Sequence, residues 1–495
     1  MKTSSGLHRC AAALLPLALA ACTLPRPPAT PELPAPAAWH APLPPAPEAS
    51  GPDTPLPHGG SIGGLEHWWN RLDDPLLGEL IAAAQDASPT LAQARSRLLQ
   101  ARSTRIGAGA ALGPTLDANA SAQRGFALQV GGVATQLQAG VTAAWDADLF
   151  GANAAARDAA EARLQGARAS WHDARVAVAA DVANQLDTLR NCRQLLAVAE
   201  SDARSRGETA RVTGLSADAG FQAPANAALA RASAADGDGR VTQQRASCEV
   251  NIKALVALTA LDEDTLRQRI AHADVPPQPA TLFTIDALPA RVLEQRPDVH
   301  AAARDVAAAS ADVGGMEAQR YPKLTLQGSV GTARIGFEGQ TQDFSNWSIG
   351  PIGVALPLFD GGRRAANVEA ARARYDEAAA VYRGKARQAV REVEEALVNL
   401  RAATDRTASA DTAADGYRRA FEATQARYDG GLASLIELED TRRTALASET
   451  ARVSLRRERM AAWIALYRAA GGGWEPDMPA PGDSAPPATA VSTSR

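Results

Sequence analysis

SPTLAQARSRLLQARSTRIGAGAALGPTLDANAS (88–121) and RPDVHAAARDVAAASADVGGMEAQRYPKLTLQGS (296–329) are two versions of one segment. Each begins with apolar residues at helical spacing and ends in alternating apolar and polar residues. Their prolines pair at a constant spacing of 208 residues: Pro89 with Pro297, and Pro114 with Pro322. The match indicates that one structural unit occurs twice in this chain of 495 residues.

The same spacing, with a small drift, relates the rest of the chain. Residues 149–151 correspond to 358–360, an offset of 209, and Gly220 corresponds to Gly431, an offset of 211. A single drifting offset predicts an internally duplicated protein. The predicted domains are a signal peptide at 1–21, a proline-rich linker at 22–64, repeat 1 at 65–275, repeat 2 at 276–474 and a disordered tail at 475–495.

Each repeat follows the same order of elements. A helix comes first, at about 75–110 and about 285–318. Two stretches with a period of two follow, which predicts strands with one apolar face. These strands are predicted at 114–126 and 135–150 in repeat 1, and at 321–332 and 345–359 in repeat 2.

A long helical hairpin completes each repeat. The predicted arms are 152–216 and 224–260 in repeat 1, and 361–428 and 434–470 in repeat 2. A helix of about 60 residues is about 90 Å long at 1.5 Å per residue. Because so long a helix needs a packing partner in water, we expect the two arms to form an antiparallel coiled coil. Two strands per repeat cannot close a barrel, so oligomerisation is implied.

Composition narrows the functional classes. Hydrophobic residues make up 46% of the chain but aromatic residues only 4%, which favours closely packed, alanine-rich helices. The formal net charge is −4 and there is no basic block, so we expect no nucleic-acid partner. Beyond Ala11–Ala20, no uncharged apolar stretch reaches the roughly 18 residues of a membrane-spanning helix.

The N-terminus is typical of a secretory signal peptide. Its apolar run ends in Leu19-Ala20-Ala21-Cys22, which resembles the lipobox of bacterial lipoproteins. Cys22 would then carry covalent lipid (palmitate), and Thr23 in place of Asp favours sorting to the outer membrane. The alternative is an ordinary signal peptide with a chance cysteine.

Five short stretches resemble one family, the outer-membrane factors of Gram-negative efflux pumps (the TolC/OprM/NodT type). They are WNRLDDPLL (69–77), WDADLFG (145–151), LPARVLEQRPDV (288–299), LPLFDGGRR (356–364) and ALYRAAGGGW (465–474). Their order spans nearly all of 66–474, and the lipobox fits the lipoprotein branch of the family.

The resemblance implies a mixed fold, all-α plus β-barrel. Four strands per chain would contribute to a trimeric twelve-stranded outer-membrane barrel, continued by a long periplasmic α-helical coiled-coil tunnel. It also implies a homotrimer that contacts outer-membrane lipid, a periplasmic membrane-fusion (adaptor) protein and an inner-membrane transporter. The expected function is passive export of drugs or other small molecules, including multidrug resistance, with the energy supplied by the transporter.

The second hairpin carries a candidate periplasmic gate. Glu437 and Asp440 are three residues apart and therefore share one helix face, which would repeat around a trimer axis as a ring of carboxylates. The resemblance places the family's constriction on these two residues and on Ile436. The alternative is a solvated face that pairs with Arg442 and Arg443.

Glycine marks both hairpin turns. Gly220, Gly430 and Gly431 are candidates for docking the adaptor protein. In the first hairpin the positions that match the gate are occupied by Asn226 and Leu229, so only the second hairpin would supply carboxylates.

Two cysteines are spaced symmetrically about the first turn. Cys192 lies 28 residues before Gly220, and Cys248 lies 28 residues after it. In an antiparallel hairpin they would be neighbours, so we predict a disulfide in the oxidising periplasm. The alternative is two buried free thiols.

No enzyme site is expected. The seven His residues are scattered, and the sequence has neither a nucleotide-binding loop nor a zinc-type cysteine spacing, so we predict no catalytic residue, no metal and no cofactor other than lipid. Trp145, Trp347 and Phe359 fit either a membrane-interface girdle or packing where barrel and tunnel join.

Two other functions stay open. One is type I protein secretion through the same conduit in place of efflux. A periplasmic coiled-coil lipoprotein that only scaffolds the envelope would lack the barrel.

Overall fold

The computed structural model describes residues 24–44, 74–128, 131–273, 282, 289–337, 339–475 and 480. Its first repeat contains α1 (Pro75–Ala87), α2 (Pro89–Ala110), β1 (Thr115–Ala127), β2 (Gly132–Asp146), α3 (Ala152–Asp218), α4 (Pro224–Thr259) and α5 (Glu263–His272). Its second repeat contains α6 (Pro289–Glu294), α7 (Pro297–Ala318), β3 (Lys323–Phe337), β4 (Gln340–Ala355), α8 (Arg363–Asp429) and α9 (Leu435–Ala469). The expected order of elements is therefore present in both repeats, and the predicted boundary at 275/276 lies outside the described residues.

Proline divides the first predicted helix of each repeat in two. The expected helix at about 75–110 breaks at Ser88, whose hydroxyl accepts a hydrogen bond from Leu91 N at 3.2 Å and so caps α2. In repeat 2 the break precedes Pro297. Proline is favoured at the first position of a helix, so each begins a new one.

One short helix was not predicted. Asp262 caps α5 by accepting a hydrogen bond from Thr265 N at 3.1 Å. Acidic residues in its first turn and basic residues in its last turn are the signal that reveals it in the sequence.

The four strands form one antiparallel sheet in the order β1-β2-β3-β4. Two strands end earlier than predicted, at Asp146 and Ala355, because the chain then turns into a long helix. The Asp148 carboxylate accepts from Asn153 N at 2.9 Å and from Ala154 N at 2.8 Å. Asp360 likewise accepts from Gly362 N and Arg364 N, so an aspartate stabilises each start of a long helix.

The sheet has one apolar and one polar face. Paired residues of antiparallel strands point to the same side, and the register places Val141, Val330 and Trp347 together. The apolar face is formed mainly by Leu116, Phe126, Leu137, Val141, Trp145, Leu326, Val330, Trp347, Ile349, Ile352 and Val354. The polar face includes Asp117, Asn119, Ser121, Gln123, Gln136, Gln138, Gln327, Ser329, Gln342 and Asn346.

Two helices of 67 residues each, α3 and α8, extend away from the sheet. At 1.5 Å per residue each is about 100 Å long. They pack as antiparallel hairpins, α3 with α4 and α8 with α9, and α3 also packs against α7 and α9. The largest fully buried side chains, Trp463 and Tyr467, lie on α9 in the main core cluster.

The described part of the proline-rich linker, residues 24–44, contains neither helix nor strand and lies against the helices. Pro27 O accepts from Ser310 Oγ at 2.5 Å, and Pro28 O accepts from Tyr375 Oη at 3.1 Å. Further along, the Glu394 carboxylate accepts from His40 N at 2.7 Å and Ala41 N at 2.8 Å. The segment is thus a docked strap. In the C-terminal tail, Ala480 is buried against α2 and α3.

Arg296 connects three distant parts of the second repeat. Its guanidinium donates to Asp298 at 2.9 Å, to Glu392 of α8 at 2.8 Å and to Ala469 O, the last residue of α9, at 3.0 Å. Burial opposes the charge of Asp298, but hydrogen bonds from Arg296 hold the pKa of this carboxyl below its ordinary value. The buried guanidinium therefore stabilises the meeting point of α7, α8 and α9.

Replacing Arg296 by Met leaves these carboxylates and a helix-end carbonyl without their donor. We expect R296M to lower the free energy of unfolding by about 3–5 kcal/mol, as for other broken buried ion pairs. Thermal unfolding followed by circular dichroism measures the change. The control is R391M, which removes an exposed pair with Glu395 and is expected to cost at most about 0.5 kcal/mol. Equal losses in both variants would refute the role of Arg296.

Candidate functional site at the hairpin tips

The two hairpin turns share one geometry. Gly220 and Gly431 adopt φ values of 80° and 74°, which side chains disfavour. In each turn the next residue bonds back across the helix end, Phe221 N to Ser216 O at 2.8 Å and Leu432 N to Arg427 O at 2.7 Å. Both turns therefore lie at the predicted glycines. Gly430, with φ of −83°, does not require glycine.

Large apolar side chains project from these turns without cover. Phe221 is 85% exposed, Leu432 is 74% exposed and Ile436 is 65% exposed. Exposed apolar side chains clustered at the end of a structure are typical of a surface that binds a partner.

The residues of the candidate gate lie in the first turns of α9. Ser434 caps this helix by accepting from Glu437 N at 3.1 Å. The side chain of Asp440 is largely exposed and that of Glu437 is partly exposed. Glu437 makes an ion pair with Arg427 at 2.7 Å, and Asp440 makes one with Arg443 at 2.5 Å. Of the alternative interpretation, a solvated face that pairs with Arg442 and Arg443, the Asp440–Arg443 pair is present, whereas Arg442 is buried and pairs with Glu439.

A buried ionic cluster that was not predicted joins the two hairpins beside the candidate gate. Glu439 accepts from Arg206 of α3 at 2.8 Å, from Ser233 of α4 at 2.9 Å and from Arg442 at 2.5 Å. Arg206 also bonds to Asp202 at 2.8 Å. Arg206 and Glu439 are 233 residues apart, so no local pattern indicates their contact.

Arg442 is the most enclosed member of this cluster, at 2% exposure. Burial lowers the pKa of its guanidinium. The charge is compensated by Glu439, by a hydrogen bond to Thr209 Oγ1 at 2.8 Å and by the ring of Phe421, whose centroid lies 5.4 Å away. Since a buried charge is costly without such partners, the cluster fixes how the hairpins meet.

A second contact links the hairpins closer to the tips, where the hydroxyls of Thr213 and Tyr428 lie 2.6 Å apart. In the first hairpin, Asn226 bonds to Gln222 at 2.9 Å and Leu229 is half-exposed. Leu229, Ile436 and Asp440 line a groove between α4 and α9. Both hairpins contribute carboxylates to this groove, Asp236 from the first and Glu439 and Asp440 from the second.

Cys192 and Cys248 are joined by a disulfide between α3 and α4, with their Cα atoms 5.5 Å apart. Both are buried in the core cluster shared with α1 and α9. Gln244 donates to Cys192 O at 3.2 Å beside the bond. The corresponding positions of the second hairpin are Ala403 and Arg459, so this cross-link belongs to the first hairpin alone.

The disulfide predicts a redox-dependent stability. A closed loop of 56 residues corresponds to at most about 4 kcal/mol of unfolded-state entropy. We expect reductant to lower the unfolding temperature of the parent to that of a C192A/C248A variant, and to leave the variant unchanged. Non-reducing digestion with mass spectrometry should yield the linked peptide. A parent insensitive to reductant, with no linked peptide, would contradict the bond.

The remaining residues singled out in the sequence are Cys22 and three aromatic residues. Cys22 lies outside the described residues. Trp145 donates its indole N–H to Leu112 O at 3.0 Å and so packs where the sheet meets the helices. Trp347 is 75% exposed on the apolar face, and Phe359 is 94% exposed just after β4. In the described ranges, no helix has the length and apolar character needed to cross a membrane, and no group of three potential metal ligands occurs.

Comparisons with known proteins agree with this architecture. The chain is 28% identical over 446 residues to Nodulation protein T of Rhizobium leguminosarum bv. viciae, covering 88% of this chain and 87% of that one. It is 28% identical over 489 residues to the pyoverdine export outer membrane protein OpmQ of Pseudomonas putida, covering 95% and 98%. The solved structure of the outer-membrane channel OprN superposes with a TM-score of 0.76 at 26% identity, covering 87% and 99%.

The outer membrane efflux protein family model matches residues 80–261 and 288–472, one segment in each repeat and more than half of the chain. On the duplicated fold, the sheet and this match, the chain belongs to the outer membrane efflux protein family.

Proposed function

We propose that this protein is the outer-membrane channel of a tripartite efflux system, a passive conduit for drugs or other small molecules. One observation supports this most directly. A sheet with an apolar and a polar face continues into two hairpins whose long arms each extend about 100 Å. Relatives named for efflux and export share this outer-membrane fold, and the protein is located in the outer membrane.

The sheet requires other copies of the chain. Its outer strands β1 and β4 each have one edge without a described partner, and such edges are not tolerated in lipid. Three copies would join these edges into a closed barrel of twelve strands. The apolar face between Leu324 and Arg334 extends about 33 Å along the strand, or about 25 Å at a 40° tilt, which is the height of an outer-membrane barrel band.

In such a trimer the second hairpin would bring the gate together. Asp440 is exposed and Glu437 is partly exposed within one protomer, so both carboxylates can reach neighbouring copies. Three copies would form a ring of carboxylates beside Ile436. The buried cluster around Glu439 would hold this ring in position from behind.

The gate is tested by removing its charge. We expect E437Q with D440N to loosen the closed end and raise the single-channel conductance of the purified protein in planar lipid bilayers several-fold. The matched control is D405N with E458Q, which removes two exposed, ion-paired carboxylates farther from the turn. A conductance unchanged by the gate variant, or raised equally by the control, would refute the gate.

The tips are the proposed docking surface for the adaptor protein. Gly220 and Gly431 shape the turns, and Phe221, Leu432 and Ile436 supply uncovered apolar area. The inner-membrane transporter would supply the energy, and the chain itself would catalyse no reaction. The same tips would serve a type I secretion system; cross-linking to the cognate adaptor and transporter distinguishes the two. A scaffold without a conduit would give no current steps in lipid bilayers.

A lipid anchor on Cys22 fits the start of the strap. Arg26 lies 3.6 Å from Asp158, near the end of α3 that follows the sheet. The described chain that follows Cys22 therefore begins beside the end of α3 that adjoins the sheet.

Metabolic labelling tests this anchor. We expect radiolabelled palmitate to enter the parent and a C10S variant, because Cys10 lies within the predicted signal peptide, but not a C22S variant. Label retained by C22S would place the lipid elsewhere, and no label in any of the three would refute lipidation.

A further inference from the structure

The polar face of the sheet contains a recess between its two central strands. Gly140 of β2 and Gly331 of β3 are directly paired. A Cβ atom on Gly331 would lie 2.9 Å from Ala139 O, and one on Gly140 would lie 3.0 Å from Val330 O. Only glycine permits this approach of the backbones, so the wall lacks side chains at this point.

Side chains from all four strands surround the recess. The pairing places Asn119 of β1 and Asn346 of β4 on either side of the two glycines. One step along the strands, toward the β1–β2 and β3–β4 turns, lie Gln138 and Phe344. The recess has a volume of about 480 Å³, within the range of small-molecule pockets.

The side chains around the recess are uncharged and include both amides and an aromatic ring. In the half of the sheet that runs from the level of Asn119 to the β1–β2 and β3–β4 turns, every described residue on the polar face is uncharged. The side-chain amides of Asn119, Gln138 and Asn346 make no hydrogen bond within the described part of the chain. Phe344 presents a half-exposed aromatic ring among these amides. An aromatic ring beside free amides can contact a flat apolar surface and hydrogen-bond its polar edge.

We propose that this recess is a binding subsite for uncharged, planar solutes that carry amide or hydroxyl groups. The proposal rests on the proposed function, which places the polar face toward the lumen, with one subsite per protomer. The ring would stack on Phe344, and its polar edge would bond to Asn119, Asn346 or Gln138. A charged solute gains no counter-charge here and is not favoured.

The subsite would bind its solutes with low affinity. A conduit must release what it binds, so its sites favour entry without retaining the solute. The recess is open toward the lumen and offers one aromatic contact and a few hydrogen bonds. Exported compounds would therefore pause at the barrel wall, and uncharged aromatic solutes would be enriched there over charged ones.

Saturation-transfer NMR on the detergent-purified protein tests the subsite, with N-acetyltryptophanamide as the neutral planar probe and empty micelles as the blank. We expect F344A to weaken probe affinity about fivefold, from loss of an aromatic contact. We expect N346A to weaken it about threefold, from loss of one hydrogen bond. Cationic tryptophanamide and anionic N-acetyltryptophan should bind more weakly than the neutral probe.

Two controls identify the face that binds. S345A alters the neighbouring residue on the opposite face, and W347L removes the exposed ring on the apolar face; both should bind the probe as the parent does. Equal affinity in the parent, F344A and N346A, or a loss confined to W347L, would overturn the subsite.

Bilayer recordings of the same samples separate this proposal from the proposed function. Absence of current steps in the parent and in E437Q/D440N would refute the conduit. Current steps without saturation transfer to the probe would refute the subsite alone.

Discussion

The buried guanidinium of Arg296 is the interaction on which the second repeat depends. It lies just before α7, yet it bonds to a carboxylate in α8 and to the carbonyl that ends α9. Three elements that are far apart in sequence therefore meet at one charge. Because a buried charge without partners costs several kcal/mol, these elements cannot separate independently. The nearby strap adds to the same region by donating two backbone N–H groups to Glu394.

The two hairpins have the same architecture, but different interactions stabilise them. The first is cross-linked by Cys192–Cys248 within its own arms, and the second contacts it through Glu439 and the buried arginines. A covalent bond keeps the two helices of the first hairpin in register. The two hairpins, in contrast, are held together by non-covalent ion pairs and hydrogen bonds. At the positions of Glu437 and Asp440 the first hairpin has Asn226 and Leu229, so the two repeats differ where the proposed gate lies.

The sheet connects this architecture to function. Alternation divides its side chains into an apolar face and an uncharged polar face, and two paired glycines bring the central backbones close together. Because these glycines have no side chains, their close approach leaves the recess beside Phe344. The described polar face of the sheet near the strand turns carries no charge, whereas the tip of the second hairpin carries Glu437 and Asp440. This division is consistent with a conduit whose two ends discriminate by different chemistry.

Much of this structure was determined by local sequence. The period of two predicts the four strands, the helical spacing predicts the hairpins, and the offset of Gly220 and Gly431 locates both turns. The symmetric spacing of Cys192 and Cys248 likewise brings them together, because an antiparallel hairpin converts sequence distance into position. Only the tertiary structure decided that Arg206 meets Glu439, that the strap docks on α8, and that Gly140 faces Gly331. Those partners are about 190 to 350 residues apart, and packing selects them from many residues of the same type. Periodicity specifies the face on which a side chain lies, but it carries no information about the partner across that face.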